Sequence, residues 1–360
     1  MKKTLSALLA LVLILTSVPV FVFNVFAGPA EYTYTHDATN ATITKYNGSG
    51  SIITVPKILG GYNVTAIAND AFKDKNTLTK VTIQDGLTTI GKNAFSACEN
   101  LAEVIISKTV SKIDTMAFSQ CSALKKITVS SDNPTYSSKG GVLFNKVKTV
   151  IYICPGGEPG KYVIPYGVTT IEDHAFYSCN ALTGVSIPGT VSTIKSNAFL
   201  NCNGIKSLVF PSSVKSIGSY AFADCTQLAK AYFFGNAPAL GTQVFTNNAD
   251  SIMIYYISGK TGFKPHLSGC PTATFKPVSS IKLSLSTLKL TAGKSVTLTA
   301  TVMPADASNK AVSWSSSKTT VATVSSVGKV TAKAVGTATI TCTAKDGSGK
   351  KATCIINVKP

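Results

Sequence analysis

Apolar residues in the middle of this chain recur at a fixed interval. Segments 78–100, 101–123, 182–204 and 205–227 superpose without a gap on one 23-residue pattern, L-x-x-V-x-I-x-x-x-V-x-x-I-x-x-x-A-F-x-x-C. In the first of these copies Leu78, Val81 and Ile83 have the spacing of a short strand facing a core. Leu87 and Ile90 mark a second buried stretch, and Ala94, Phe95 and Cys98 close the unit on the opposite side. A unit this short cannot bury its apolar face alone, so neighbours must stack, and the pattern predicts a solenoid with one long, ordered surface.

The pattern changes at both ends and once in the middle. Residues 52–77 hold an imperfect first copy, with Lys75 where later copies have cysteine, as expected of a terminal repeat. Between Leu124 and Leu182 the spacing widens to 58 residues, with an insertion expected near residues 130–165 that forms an extra hairpin within the solenoid rather than a separate domain. Beyond Gln227 the pattern decays into a capping unit, residues 228–275. From Pro277 onward, short alternating runs such as Ser280–Ser286, Ser295–Pro304 and Gly336–Ala344 are separated by turns at Gly293, Gly328 and Gly347 to Gly349. Eight such runs around a lone tryptophan, Trp314, predict a β-sandwich over residues 276–360.

The six Ala-Phe marks, the A-F-x-x-C copies, Asn236-Ala237-Pro238 and Tyr255-Tyr256-x-x-Gly259 give residues 43–270 a resemblance to BspA-type leucine-rich-repeat proteins. That resemblance implies a mainly β fold and a secreted or surface-displayed solenoid used in attachment, and it implies no particular ligand. Val312-Ser313-Trp314-Ser315, Val321-Ala322, Gly328 to Ala332 and Gly336-Thr337-Ala338 make the last segment similar to the bacterial immunoglobulin-like group 2 domain of invasin- and intimin-like surface proteins. By analogy it is a spacer or an adhesive stalk. The fold expected is therefore a leucine-rich-repeat solenoid over residues 28–275 followed by an Ig-like sandwich over residues 276–360.

Charge and the N-terminal segment add a compartment and a partner class. Lys2 and Lys3, an apolar run from Leu5 to Phe23 and the small residues Val25 and Ala27 before Gly28 read as a secretory signal, residues 1–27, cut after Ala27. No later stretch is long and apolar enough to span a bilayer, and the expected location is extracellular, secreted or wall-associated. The net charge is +18 with no arginine in the chain, which argues against specific nucleic-acid recognition and for diffuse electrostatics. Residues 276–360 carry 12 lysines against two aspartates, a distribution suited to an anionic cell-wall polymer or to plain solubility.

Catalytic chemistry finds little footing. His36, His174 and His266 are scattered, no metal-protease, calcium-loop or nucleophile-elbow motif occurs, and neither a cofactor nor a metal is expected. Cys98, Cys121, Cys179, Cys202 and Cys225 share one repeat position and read as a column of buried thiols, while Cys154 and Cys270 have no evident partner. Cys342 and Cys354 lie symmetrically about Ser348, which would place them directly opposite across a hairpin, either as a disulfide or as buried free thiols.

Strand alternation places two ladders of side chains on the outer surface of the first strand. One runs Lys80, Glu103, Lys126, Gly184, Ser207 and Lys230; the other runs Thr82, Ile105, Thr128, Ser186, Val209 and Tyr232. These residues are the candidate ligand surface for a protein or glycan on a host or neighbouring cell. The expected function is non-catalytic binding or adhesion; the alternative is a wall-associated structural or targeting accessory held by its lysine-rich module.

Overall fold

The structure, a computed structural model, describes residues 26–27 and 31–360. The signal segment expected over residues 1–27 lies outside the described residues apart from Phe26–Ala27, which pair antiparallel with Tyr34 and Thr33. The described residues form strands, turns and no helix, arranged as a solenoid followed by a sandwich.

Each solenoid coil has three sides. The first side is a parallel sheet: Ile52–Thr54, Lys80–Thr82, Glu103–Ile106 and Lys126–Val129 stack in register, with Lys80, Glu103 and Lys126 aligned and Val81, Val104 and Ile127 directed into the core. The second side is a ladder of two-residue strands such as Thr170–Ile171, Thr193–Ile194 and Ser216–Ile217, each pairing with residues 23 positions away. The third side carries the Ala-Phe-x-x-Cys turn and is a backbone ladder in its own right. Phe95 N–H donates to Ala117 O at 2.8 Å and Phe199 N–H to Ala221 O at 2.8 Å.

This turn explains residues that the apolar pattern treats as variable. The second residue after each Ala-Phe adopts left-handed backbone, as does the residue before it except at Met116, for example Asn93 (φ 54°) and Ala97 (φ 55°), then Asn197 (φ 55°) and Asn201 (φ 61°). Asn and Asp tolerate that conformation better than other residues with a side chain, and they recur at these positions. Within the turn the phenylalanine rings stack from coil to coil: Phe72 on Phe95 at 4.7 Å, Phe176 on Phe199 at 4.5 Å and Phe199 on Phe222 at 5.0 Å between centroids. The cysteine column has a matching role. Cys98, Cys121, Cys202 and Cys225 each donate Sγ–H to the carbonyl of the phenylalanine 26 residues earlier, at 2.9–3.1 Å. A small side chain with a donor satisfies a buried carbonyl where a larger one would not fit.

The 58-residue interval contains an expanded coil and an ordinary one. The extra residues lie between Val129 and Val150, and Gly160–Val163 is a regular first-side strand paired in parallel with Leu182–Ser186, so the inserted segment ends earlier than residue 165. The inserted strand Val142–Asn145 buries both faces. Leu143 joins the core of the first half of the solenoid, while Val142 and Phe144 join that of the second. Cys154 stands where a phenylalanine would, since its N–H donates to Ala175 O at 2.7 Å and Cys179 Sγ lies 3.6 Å from its carbonyl.

The sandwich sets a four-stranded sheet of Thr287–Thr291, Lys351–Lys359, Gly336–Ala344 and Val312–Ser316 against a three-stranded one of Ser295–Thr297, Lys329–Ala332 and Ala322–Val324. Leu298, Val330, Ile340 and Ile356 fill the space between them. The direct opposition expected of Cys342 and Cys354 does not occur. Cys342 faces Ala352, Cys354 faces Ile340, and both thiols are free and buried. The hairpin is centred on Gly347 rather than Ser348, because Ala344 N–H closes on Lys350 O at 2.9 Å around left-handed Gly347 and Gly349. The two cysteines are thus diagonal neighbours, farther apart than a disulfide spans without distortion.

Candidate functional site

Of the ladder residues, Lys80, Glu103 and Lys126 come together in adjacent rungs, with the Glu103 carboxylate 2.9 Å from both ammonium groups. The hydrogen bond from Lys80, then that from Lys126, lowers the Glu103 pKa below its usual value. Beside this ionic line, Thr82, Ile105 and Thr128 align one above the other, all half-buried, and the strip extends to Thr54. A flat strip with one branched apolar group between two hydroxyls suits an extended or planar partner more than a small enclosed molecule.

The ladders do not run on without a break. Lys126–Val129 does not pair with Leu182–Ser186; the inserted hairpin meets it instead, Ile127 N–H donating to Gly141 O at 2.9 Å, and the strip restarts at Gly160–Val163. There Lys161 aligns with Gly184 and Val163 with Ser186, so Lys161 and Val163 are rung residues that the alignment of regular copies passes over. Further on, Ser207 aligns with Lys230, and Val209 with Tyr232 and then Tyr255. Tyr232 is stacked on Tyr255 at 5.0 Å and met edge-on by Phe275 at 5.4 Å, and a Cβ placed on Gly347 of the sandwich would lie 2.5 Å from Val209 Cγ2. Val209 therefore lies against the sandwich hairpin and Tyr232 against two aromatic rings, both half-buried. Burial, then Tyr255, then Asp346 raise the Tyr232 phenol pKa.

The second side offers a trough of about 640 Å³ that the apolar pattern does not mark, lined by Glu172, Thr193, Lys195, Ser216, Gly218 and Gly241 among others. Its glycine floor has a packing cause. A Cβ on Gly218 would come within 2.4 Å of Ser196 N and one on Gly241 within 2.3 Å of Ser219 N, because adjacent coils touch there. Glu172 and Lys195 form an ion pair at one end of it. His174 is half-buried with φ 57° and its Nδ1 lies 3.1 Å from Asp173 Oδ2, a turn position. No group of three or more metal-ligating side chains occurs among the described residues, and no helix among them is long and apolar enough to cross a membrane.

Comparison with known proteins fits this architecture. Over 80 residues the chain is 46% identical to an uncharacterised protein of Clostridium acetobutylicum, a stretch covering 22% of this chain and 8% of that protein. It is 48% identical over 89 residues to a kappa-carrageenase of Pseudoalteromonas carrageenovora, covering 24% and 22%. The chain thus spans less than a quarter of the length of these curated relatives. Among solved structures, a leucine-rich repeat protein from Eubacterium ventriosum overlaps 74% of this chain and 86% of its own, at 20% identity and a TM-score of 0.44. The bacterial Ig-like domain (group 2) family matches residues 277–356. Six copies of the BspA type leucine rich repeat region match residues 49–150 and 160–265, more than half of the chain, and the protein belongs to that family.

Proposed function

We propose that this is a non-catalytic, secreted or surface-displayed binding protein whose first-side strip is presented to a protein or glycan on another cell. The observation that carries the reading is the in-register run of Thr54, Thr82, Ile105 and Thr128 beside the Lys80–Glu103–Lys126 ionic line, a part-exposed surface built at the same position of four successive coils. Repetition suits it to weak contacts multiplied by display on a surface. The family's resemblance to attachment proteins supports the same reading, as does the apolar segment at residues 5–23.

A specific observation favours a second role, adherence of the Ig-like module to an anionic wall polymer. Both of its aspartates are engaged, Asp306 with Lys276 and Asp346 with the Val278 amide. Lys289, Lys351 and Lys359 are left exposed on the outer face of the four-stranded sheet with no carboxylate among them. The two readings separate in the full chain. Wild type, Ile105→Glu and a Lys289→Glu/Lys351→Glu/Lys359→Glu triple variant are tested for binding to intact host cells, mucin and purified bacterial walls at low and physiological salt. The strip reading expects Ile105→Glu to lose at least about tenfold in salt-resistant binding. Undiminished binding by that variant, with loss only in the lysine triple, would replace it with electrostatic tethering.

A further inference from the structure

Two domains in one chain ordinarily move against each other unless their interface is extensive. Here the joint has almost no slack. Phe275 ends the last solenoid strand, Cys270–Phe275, with its ring edge-on to Tyr232 and to Phe234 at 5.4 and 5.3 Å. The next residue, Lys276, already belongs to the sandwich: its N–H donates to Ser308 Oγ at 2.9 Å, its carbonyl accepts from Ser308 N–H at 2.9 Å, and its ammonium reaches Asp306 at 2.6 Å. Two residues later Val278 is buried with Ala307 and Ala344, and its N–H donates to Asp346 Oδ2 at 2.6 Å. No residue separates Phe275 from Lys276, and Pro277, whose ring fixes φ, lies between the sandwich contacts of Lys276 and Val278.

Asp346 also sets what the module places against the solenoid. Its second oxygen accepts from Ser348 N–H at 2.9 Å, which holds the turn of the Gly336–Ala344 and Lys351–Lys359 hairpin in shape while the first oxygen ties that turn to the joint. The tip so held is Gly347, at φ 86°, against Val209 on the first-side strip. A left-handed turn and close approach to a neighbouring side chain each call for glycine, and Gly347 meets both.

We infer that the Ig-like module is locked to the solenoid at a fixed angle, its hairpin tip seated on the Val209 rung, so that the strip open to a ligand stops short of that rung. The lock stands on the joint and the tip alone. Its consequence for ligand reach rests on the strip being the binding surface. A ligand on the strip and a surface bound by the module are then held in one fixed geometry.

The test is domain tumbling in the full chain by backbone ¹⁵N relaxation. A lock gives both domains one rotational correlation time, whereas a hinged module tumbles faster than the solenoid by a factor of about two or more. Val209→Trp, which enlarges the side chain beneath the tip, is expected to release the module and shorten its correlation time. Ile105→Trp, at the same repeat position but on a rung remote in sequence from the joint, is expected to leave it unchanged. Separate correlation times in the wild type overturn the lock, as does a shared time that survives Val209→Trp. Separate correlation times in the wild type, with ligand binding still sensitive to Ile105→Glu, would refute this inference while leaving the strip reading intact.

Discussion

The cysteine column makes the solenoid vulnerable to alkali to an extent that can be worked out. Desolvation holds the Cys98 thiol up to about 11 and the Cys225 thiol up to about 12, against an ordinary 9.0. Burial raises Cys121 and Cys202 likewise, and Cys179 is raised first by the neighbouring Cys154 thiol and then by burial. A thiol whose folded pKa exceeds its unfolded one keeps its proton in the native state after the unfolded chain has released it. Its stabilising contribution is fully present below pH 9 and is lost as pH rises from there toward the folded value. At pH 10 each of the five thiols is about tenfold ionised in the unfolded chain and protonated in the folded one. That difference is about 1.4 kcal/mol per thiol, or about 7 kcal/mol for the column. Since whole domains are stable by only about 5–15 kcal/mol, the solenoid should lose most of its margin between pH 8 and 10. Urea titrations followed by far-ultraviolet circular dichroism, with thiols kept reduced, measure this directly. Cys225→Ala should reduce the fall by about 1.4 kcal/mol whatever it does to stability at pH 7. A total fall below about 2 kcal/mol would refute the buried-column account.

Three further outcomes are expected. Phe199→Ala removes a fully buried ring stacked on Phe176 and Phe222 and should cost about 3–5 kcal/mol. Phe245→Ala, at the end of the same stack, should cost less, and thermal unfolding of both variants compares them; equal losses would deny that stacking on two sides matters. Ala97→Gly should stabilise by about 1 kcal/mol and Asn93→Ala should destabilise by a similar amount, because both positions are left-handed; denaturation midpoints of opposite sign check the pair. Titration with a thiol reagent should find all nine cysteines free once the chain is denatured without reductant and nearly all unreactive while it is folded. A count of seven in the denatured chain would mean that a pair has bonded.

What the sequence made legible follows from how pairing is determined. In a stack of equal coils, a residue lies beside its counterpart one repeat away, so the 23-residue spacing is itself the sheet register. Lys80 facing Glu103 and Glu103 facing Lys126 follow directly from it. The sandwich hairpin has no such rule. Its register depends on the turn, and the turn depends on Asp346 holding an amide 68 residues away, a contact that local alternation does not reveal. The coil at Gly160–Val163 departs from the apolar pattern for another reason, since Tyr162 fills the slot of Val185 and glycine stands opposite Leu182. The signal for the third-side turn was present in the recurrent Asn and Asp before and after Ala-Phe, though it marks backbone conformation and so carries no apolar periodicity.

The insertion bears on function more than on stability. It parts the core at Val142–Asn145, interrupts the phenylalanine stack between Phe118 and Phe176, and divides the second-side ladder, which ends at Lys112–Ile113 and resumes where Val150 and Ile151 pair with Thr170 and Ile171. Both the first-side strip and the second-side ladder are therefore divided at the inserted hairpin. Rungs in a parallel sheet are about 4.8 Å apart, so Thr54 to Thr128 spans about 14 Å of unbroken surface. A second stretch pairs Val163 with Ser186, and a separate sheet resumes at Val209 beneath the Gly347 tip. A partner read along the whole solenoid would need one uninterrupted strip, and the first-side strip is broken at the inserted hairpin and again between Ser186 and Ser207. Under the proposed strip reading, the expected ligand is a compact protein loop or a glycan of a few units lying across Thr82, Ile105 and Thr128. That ligand should bind equally well when Val209 and Tyr232 are replaced, provided the lock over them is left in place.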